Sequence, residues 1–197
     1  DARILFVGLG GGAMPTYTHH ILPQARIDVV EIDPIIVDVA QRFFGFRPDD
    51  RMRVHTGDGR AFIEAAQPGS YDLIVLDAFS DDEIPRALAT REFLEAVRAS
   101  LTQDGVVVSN LWTANDDYES MVATYDVVFD RVHLLRVPQR RQNILVTGPG
   151  VAAADRASLV AAVESFEARV DPGFDLRRLV DNGYTRAAVD APVLQDR

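Results

Sequence analysis

The fold is decided by residues 4–31, ILFVGLGGGAMPTYTHHILPQARIDVVE. Residues 4–8 form a continuous apolar run that ends in glycine, which is typical of a buried parallel strand. A helix is predicted at 14–22, and residues 26–31 form a second strand-like run that ends in an acid. Because two strands flank one helix, the stretch predicts a β-α-β unit and therefore a parallel sheet.

The alternation of strand and helix continues downstream. Pro34 stands where a helix would begin, and residues 35–44 have the apolar spacing of a helix. The run YDLIVLD at 71–77 is the most strand-like segment of the chain. Further strands are predicted at 52–56 and 105–110, and further helices at 60–66 and 90–101. Five strands separated by helices predict an α/β, doubly wound and mostly parallel sheet.

Beyond these units, the pattern predicts a C-terminal antiparallel β hairpin. A helix is predicted at 115–127, and strands follow at 131–137 and 143–147. The connection between the two strands, residues 138–142, is too short for a crossover helix, so the strands should pair antiparallel. Such a hairpin after five β/α units is typical of the Rossmann-like fold of class I S-adenosylmethionine-dependent methyltransferases, and not of dehydrogenases.

Length and composition agree with one globular domain. The chain has 197 residues, 47% of them hydrophobic and 25% charged, and no apolar run reaches the ~20 residues of a membrane span. An amphipathic helix is predicted at 155–169, before a segment of mixed character at 171–197. Since no linker or repeat divides the chain, residues 1–197 are expected to form a single domain with no membrane association.

The residue types that are missing exclude several kinds of chemistry. The chain has no cysteine, which excludes disulfides, thiolate metal sites and cysteine nucleophiles, and is compatible with the expected cytoplasmic location. It has no lysine, which excludes Schiff-base chemistry and a phosphate-binding lysine. The four histidines lack the spacing of metal ligands with a carboxylate partner, so no metal is expected.

The net charge of −10 bears on the partners of the protein. Such a surface repels phosphate backbones, so nucleic acid is not expected as a partner. It favours a small cationic substrate. Acidity that serves only solubility is the alternative explanation.

A glycine-rich loop follows the first predicted parallel strand and an acid ends the second, at the edge where open α/β sheets bind ligands. The first strand is followed by a loop containing Gly8, Gly10 and Gly12. Glycines allow a tight turn and let the backbone approach a ligand closely. The second strand ends in Glu31, whose carboxylate can accept hydrogen bonds from both hydroxyls of a ribose.

The next two strands also lead into acids. The third is followed by Asp58 and Gly59, where a carboxylate can accept a hydrogen bond from the exocyclic amine of adenine. The fourth ends in Asp77. Any one of these residues could be only a turn or a helix cap. Together, a glycine loop and three acids at four successive strand ends predict a nucleoside site.

The type of nucleoside can be argued from the charges. The glycine loop also fits the dinucleotide pattern G-x-G-x-x-A from Gly8 to Ala13, with Glu31 downstream. A pyrophosphate gains nothing from the carboxylates of Asp58 and Asp77, whereas a cationic sulfonium does. The sequence therefore favours an S-adenosyl ligand over a dinucleotide.

The segments ILFVGLGGG, VVEIDP, RVHTGDGRAFI and YDLIVLDAFSDDEIP resemble those of the spermidine synthase (polyamine aminopropyltransferase) family. The resemblance covers residues 4–112 and, more loosely, the rest, including DAPVLQD. It implies that an aminopropyl group moves from decarboxylated S-adenosylmethionine to a polyamine such as putrescine, in what could be a homo-oligomer. It also implies that Glu31 binds the ribose, that Asp58 binds the adenine, and that Asp77 accepts a proton from the attacking amine.

The sequence departs from the family pattern in three respects. The aspartate that binds the aminopropyl amine in the family is replaced by Gly11. The second acid of the strand-four motif is replaced by Ser80, with Asp81 beside it, and these two residues are expected to bind the substrate. A solvated loop is the alternative explanation for the acids at 81–83. The amino-terminal β-rich segment of the family has no counterpart in the 197 residues, so a branch without it is expected.

These observations leave three functions open. An aminopropyltransferase fits the motifs and Asp77 and is the function expected here, with decarboxylated or ordinary S-adenosylmethionine as co-substrate. A methyltransferase that uses S-adenosylmethionine on a small acceptor needs no acid in the glycine loop, so Gly11 fits it better. A non-catalytic nucleoside-binding module would bind the same ligands without turnover.

Overall fold

Strands and helices alternate along the first half of the chain, as the sequence predicts. The computed structural model describes residues 1–79, 84–137, 140–151, 155–181, 184–187 and 189–196. Its strands are β1 (Arg3–Val7), β2 (Arg26–Glu31), β3 (Met52–Thr56), β4 (Tyr71–Leu76), β5 (Leu101–Trp112), β6 (Val132–Arg136), β7 (Gln142–Thr147) and β8 (Tyr184–Arg186). Its helices are α1 (Ala13–Ile21), α2 (Pro34–Phe43), α3 (Gly59–Glu64), α4 (Arg91–Ser100), α5 (Tyr118–Phe129), α6 (Arg156–Glu167) and α7 (Leu176–Asp181).

The eight strands that the structure describes form one mixed sheet in the order β3-β2-β1-β4-β5-β7-β6-β8. The first five pair in parallel, and β6, β7 and β8 join them antiparallel. The strand order reverses between β1 and β4, where Val7 lies opposite Leu76. Such a reversal opens a crevice at the carboxyl ends of the two strands, which positions a ligand site there.

Strand β1 is buried on both faces. Leu5 and Val7 belong to the apolar cluster on one side of the sheet, and Ile4 and Phe6 belong to the cluster on the other. Each of the four is at most 2% exposed. Because side chains alternate across a strand, burial of both faces requires the continuous apolar run seen in the sequence.

The predicted fold class is confirmed. The predicted hairpin corresponds to β6 and β7, with Leu134 opposite Leu145. Strand β5 begins at Leu101, earlier than the predicted 105–110, because α4 leads directly into it and a register shift lies between Tyr71 and Leu73. All the strands that the structure describes lie in one sheet, and on that basis we propose that the chain is one domain.

The segment at 171–197, which had only a mixed character in the sequence, contributes α7 and β8. Strand β8 extends the sheet beyond β6, with Thr185 opposite Leu134. In the part of the chain that the structure describes, no helix combines the length and apolar character that crossing a membrane requires.

Candidate active site

A cavity of about 740 Å³ opens at the carboxyl ends of the central parallel strands. It lies at the reversal of strand order, as expected for this topology. Most of the residues predicted from the strand ends line it together, namely Gly8, Gly10, Glu31, Asp58, Gly59 and Asp77. The predicted substrate-binding residues Ser80 and Asp81 lie outside the described residues.

Gly12 is the predicted glycine that does not line the cavity. It lies at the N-cap of α1 with φ of 73°, a left-handed conformation that suits glycine. A Cβ at this position would lie 2.9 Å from the Phe46 ring. Packing against Phe46, together with the left-handed backbone conformation, therefore explains why a glycine stands at position 12.

Gly8 brings the glycine loop against the end of β4. Its N–H donates to Val30 O at 2.8 Å, and its φ is 99°. A Cβ built on Gly8 would lie only 2.6 Å from the backbone oxygen of Asp77. Since a backbone atom cannot rotate away, a side chain at Gly8 would push apart the two strands that form the floor of the cavity.

We expect Gly8→Ala to destabilise the fold far more than Gly10→Ala. Gly10 also has a positive φ, 53°, but nothing lies within 4 Å of a Cβ there. Gly10→Ala should therefore cost only the backbone strain, about 1–2 kcal/mol, whereas Gly8→Ala should cost at least about 3 kcal/mol because overpacking adds to that strain. Urea unfolding of both variants measures the difference, and equal midpoints would contradict the close approach of Gly8 to β4.

Glu31 is held in one orientation by the backbone on both sides of it. Its Oε2 accepts a hydrogen bond from Leu9 N at 2.9 Å, and its Oε1 accepts one from Asp33 N at 3.0 Å. The residue is 9% exposed and borders the cavity. A carboxylate has about four acceptor positions, so each oxygen retains capacity for a hydroxyl of a ligand.

Asp58 both caps a helix and borders the cavity. It is the N-cap of α3, where its Oδ1 accepts hydrogen bonds from Arg60 N at 2.7 Å and Ala61 N at 3.0 Å. Its Oδ2 accepts no hydrogen bond from the residues that the structure describes, and the residue borders the cavity. The helix-cap explanation for Asp58 is therefore correct for one oxygen and leaves the other for a ligand.

Asp77 follows β4, and its N–H donates to Val7 O at 2.9 Å. Burial raises the pKa of its carboxyl above the ordinary value, and the hydrogen bond from Asn110 partly opposes that rise. Asn110 Nδ2 donates to Asp77 Oδ1 at 3.0 Å, which fixes the carboxylate. A partly desolvated, oriented carboxylate is suited to accepting a proton.

Asn110 is the residue that the sequence reasoning missed. It lies near the carboxyl end of β5, beside Ser109, which pairs with Leu76 of β4. Its Oδ1 is buried and has no hydrogen-bond partner in the part of the chain that the structure describes. Asn110 does not line the cavity, so its contribution to the site is to orient the carboxylate of Asp77. Asn110 ends the predicted fifth strand, 105–110, so the strand-end pattern that predicts Asp77 extends to it.

The remaining lining is mostly apolar. Ile32, next to Glu31, is 69% exposed although it is a large hydrophobic residue. Phe79 borders the cavity and packs against Trp112, with ring centroids 6.4 Å apart. Pro85, Ala87 and Leu88 form a further wall. Apolar walls around a few polar groups are typical of sites for small molecules.

No cluster of three or more histidine, aspartate or glutamate side chains is placed to hold a metal ion within the residues that the structure describes. The fold and the cavity at its strand ends define the class of protein: a Rossmann-like α/β domain of the kind found in S-adenosylmethionine-dependent transferases. The chain belongs to the spermine/spermidine synthase domain family, whose family model matches residues 3–142. The resemblance noted in the sequence is confirmed.

Two kinds of curated relative are similar to the chain. The polyamine aminopropyltransferase of Vibrio vulnificus (strain CMCP6) is 36% identical over 172 residues, which cover 86% of this chain and 58% of that protein. The eEF1A lysine and N-terminal methyltransferase of Homo sapiens is 36% identical over 154 residues, 72% of this chain and 22% of that protein. The chain thus spans little more than half of the first relative and about a fifth of the second. Both names denote transferases, as expected from the sequence.

Solved structures divide in the same way. The human Methyltransferase-like protein 13 in complex with SAH has a TM-score of 0.78 and 32% identity, over 86% of this chain and 82% of that one. The spermidine synthase of Thermotoga maritima has a TM-score of 0.72 over 93% of this chain and 65% of that one. Its identity is 18%, so it supports the fold alone.

Proposed function

We propose that the chain transfers an aminopropyl group from decarboxylated S-adenosylmethionine to an amine of a polyamine such as putrescine. The observation that carries the proposal is the carboxylate of Asp77, which is partly buried in the ligand cavity and oriented by Asn110. The similarity to the Vibrio vulnificus aminopropyltransferase over 86% of this chain supports it.

In this proposal the donor nucleoside lies along the strand ends. Glu31 accepts hydrogen bonds from the ribose hydroxyls with the lone pairs that Leu9 N and Asp33 N do not use. Asp58 Oδ2 accepts a hydrogen bond from the adenine amine, and the exposed face of Ile32 packs on the base. The carboxylates also attract the positive charge of the sulfonium.

The transfer itself is an in-line displacement. The amine nitrogen of the acceptor attacks the carbon next to the sulfonium, so a C–N bond forms, the C–S bond breaks, and its electron pair remains on sulfur. The proton of the attacking amine passes to Asp77, whose carboxylate is held in place by Asn110 Nδ2. Because the sulfonium leaves as neutral methylthioadenosine, the contribution of the protein is positioning and proton transfer.

A second candidate, methyl transfer from ordinary S-adenosylmethionine, is favoured by the surroundings of Gly11. A Cβ at Gly11 would lie 3.1 Å from the ring of Phe44, so an aspartate could enter only if Phe44 moved. Aminopropyl transfer uses an acid at this position in the resembling family, whereas methyl transfer does not need one. The similarity to the human eEF1A methyltransferase agrees with this candidate.

The pH dependence of product formation tests the role of Asp77. Incubation with decarboxylated S-adenosylmethionine and putrescine should yield spermidine and methylthioadenosine, measured by mass spectrometry. Asp77 must be ionised to accept the proton, so kcat/KM should fall as the pH is lowered through its pKa. Burial raises that pKa above 3.8, which moves the acidic limb to higher pH. No spermidine at any pH, or a rate that stays constant down to pH about 4, would contradict the proposal.

A further inference from the structure

Arg60 lines the cavity and also pairs with Asp196, which lies outside the cavity lining. The Arg60 side chain donates from Nε to Glu64 Oε1 at 2.7 Å and from Nη1 to Ala87 O at 3.1 Å. Nη1 also lies 3.3 Å from Thr90 Oγ1. A bidentate pair with Asp196 completes the set, with Nη1 to Oδ1 at 2.8 Å and Nη2 to Oδ2 at 2.5 Å. Bidentate arginine–carboxylate pairs fix geometry more strongly than single contacts do.

Residues 189–196, here called the clasp segment, lie against the first turn of α4. Leu194 is 5% exposed, and its carbonyl oxygen accepts a hydrogen bond from Arg91 N at 2.8 Å. The N–H of Asp196 donates to Glu92 Oε2 at 2.9 Å. The first N–H groups of a helix have no partner within the helix. The clasp segment therefore supplies an acceptor that the helix needs, and this fixes Asp196 beside Arg60.

The first turn of α4 continues directly from one wall of the cavity. Pro85, Ala87 and Leu88 line the cavity, and Thr90 caps the helix by accepting from Phe93 N. Arg60 reaches this wall through its hydrogen bond to Ala87 O. The backbone N–H of Arg60 also donates to Asp58 Oδ1 at 2.7 Å. Arg60 thus contacts both this wall and Asp58, the residue predicted to bind the adenine.

We propose that Asp196 is a positioning residue of the donor site, which acts through Arg60 to hold the wall at 85–88 against the nucleoside. The proposal rests on the proposed function only in taking the cavity as a nucleoside site. When Asp196 is replaced by asparagine, Arg60 loses its bidentate partner and water takes its place. The hydrogen bond from Arg60 to Ala87 O then weakens. Since coupling is reciprocal, a nucleoside in the cavity should in turn stabilise the clasp segment.

The test is a calorimetric titration with methylthioadenosine of the unchanged chain, Asp196→Asn and Glu95→Gln. Glu95 pairs with Arg91 at 2.7 Å on the same helix but does not line the cavity, so it is a matched control. Asp196→Asn should weaken binding at least about fivefold. Glu95→Gln should leave it within about twofold, because neither Glu95 nor its partner Arg91 lines the cavity. In an Arg60→Gln background, Asp196→Asn should have no further effect, since both changes break the same connection.

Hydrogen exchange gives a second readout that a purely structural role would not move. Methylthioadenosine should slow exchange at the amides of Leu194 and Asp196, although neither residue lines the cavity. Equal affinities of Asp196→Asn and Glu95→Gln for methylthioadenosine would overturn only the role of Asp196. So would a loss of affinity on Asp196→Asn that is as large in the Arg60→Gln background as in the unchanged chain. Failure of the unchanged chain to bind methylthioadenosine would overturn the nucleoside site as well.

Discussion

Asp77→Asn should lower turnover by about 10²–10⁴-fold, the usual contribution of a general base, while methylthioadenosine still binds within a few-fold of the unchanged chain. Asparagine keeps the shape of the side chain and can still contact Asn110, but it cannot accept a proton from the amine. Stopped assays of spermidine formation give the rate, and calorimetry gives the affinity. Loss of kcat without loss of nucleoside binding identifies a residue that acts in the chemical step.

Asp72→Asn is a matched control for this variant. Asp72 lies at the opposite end of β4, where its carboxylate accepts hydrogen bonds from Arg3 N at 2.8 Å and from Thr102 Oγ1 at 3.0 Å. The same chemical change on the same strand should leave kcat within about twofold, since Asp72 is remote from the cavity lining. Turnover of Asp77→Asn that matches that of Asp72→Asn would rule out Asp77 as the base.

Glu31→Gln should weaken the binding of methylthioadenosine by roughly 5- to 150-fold, which corresponds to about 1–3 kcal/mol. Two effects act in the same direction. The amide loses the charge-assisted hydrogen bonds to the ribose hydroxyls. Its NH₂ group also cannot accept from Leu9 N or Asp33 N, so one of these backbone donors loses its partner.

A ligand without the 2′ and 3′ hydroxyls separates the two effects. The unchanged chain should prefer methylthioadenosine over this dideoxy analogue, and Glu31→Gln should lose most of that preference. If the variant distinguishes the two ligands as well as the unchanged chain does, Glu31 does not bind the ribose. An equal loss of affinity for both ligands would indicate that Glu31 only supports the loop.

The strand-end residues could be predicted because a parallel sheet aligns them. The register places Val30 opposite Val7 and Thr56 opposite Glu31, so the residues that follow β1, β2, β3 and β4 meet at one edge. The sequence carries this information as short strand-like runs that are each followed by glycine or end in an acid. The positions of these runs therefore predict that Glu31, Asp58 and Asp77 lie at the same edge of the sheet.

Other parts of the site depend on contacts that no local pattern records. Arg60 and Asp196 are separated by 136 positions, and nothing in the spacing of either residue indicates the other. The missing partner of Asn110 Oδ1 follows from side-chain orientation and burial, which a sequence pattern does not contain. Gly12 belongs to the same glycine run as Gly8, and only the position of the Phe46 ring distinguishes its packing role.

The central claim is tested most directly by titrating the unchanged chain with decarboxylated and ordinary S-adenosylmethionine in parallel calorimetric experiments. Arg60 is the one cationic residue among the described residues that line the cavity, and Asp196 and Glu64 already pair with it. The extra carboxylate of the ordinary donor would therefore face acids without a compensating charge. Our account predicts that the decarboxylated donor binds at least about tenfold more tightly, roughly 1.4 kcal/mol. Tighter binding of ordinary S-adenosylmethionine would contradict aminopropyl transfer and favour methyl transfer, and binding of neither would contradict the nucleoside site itself.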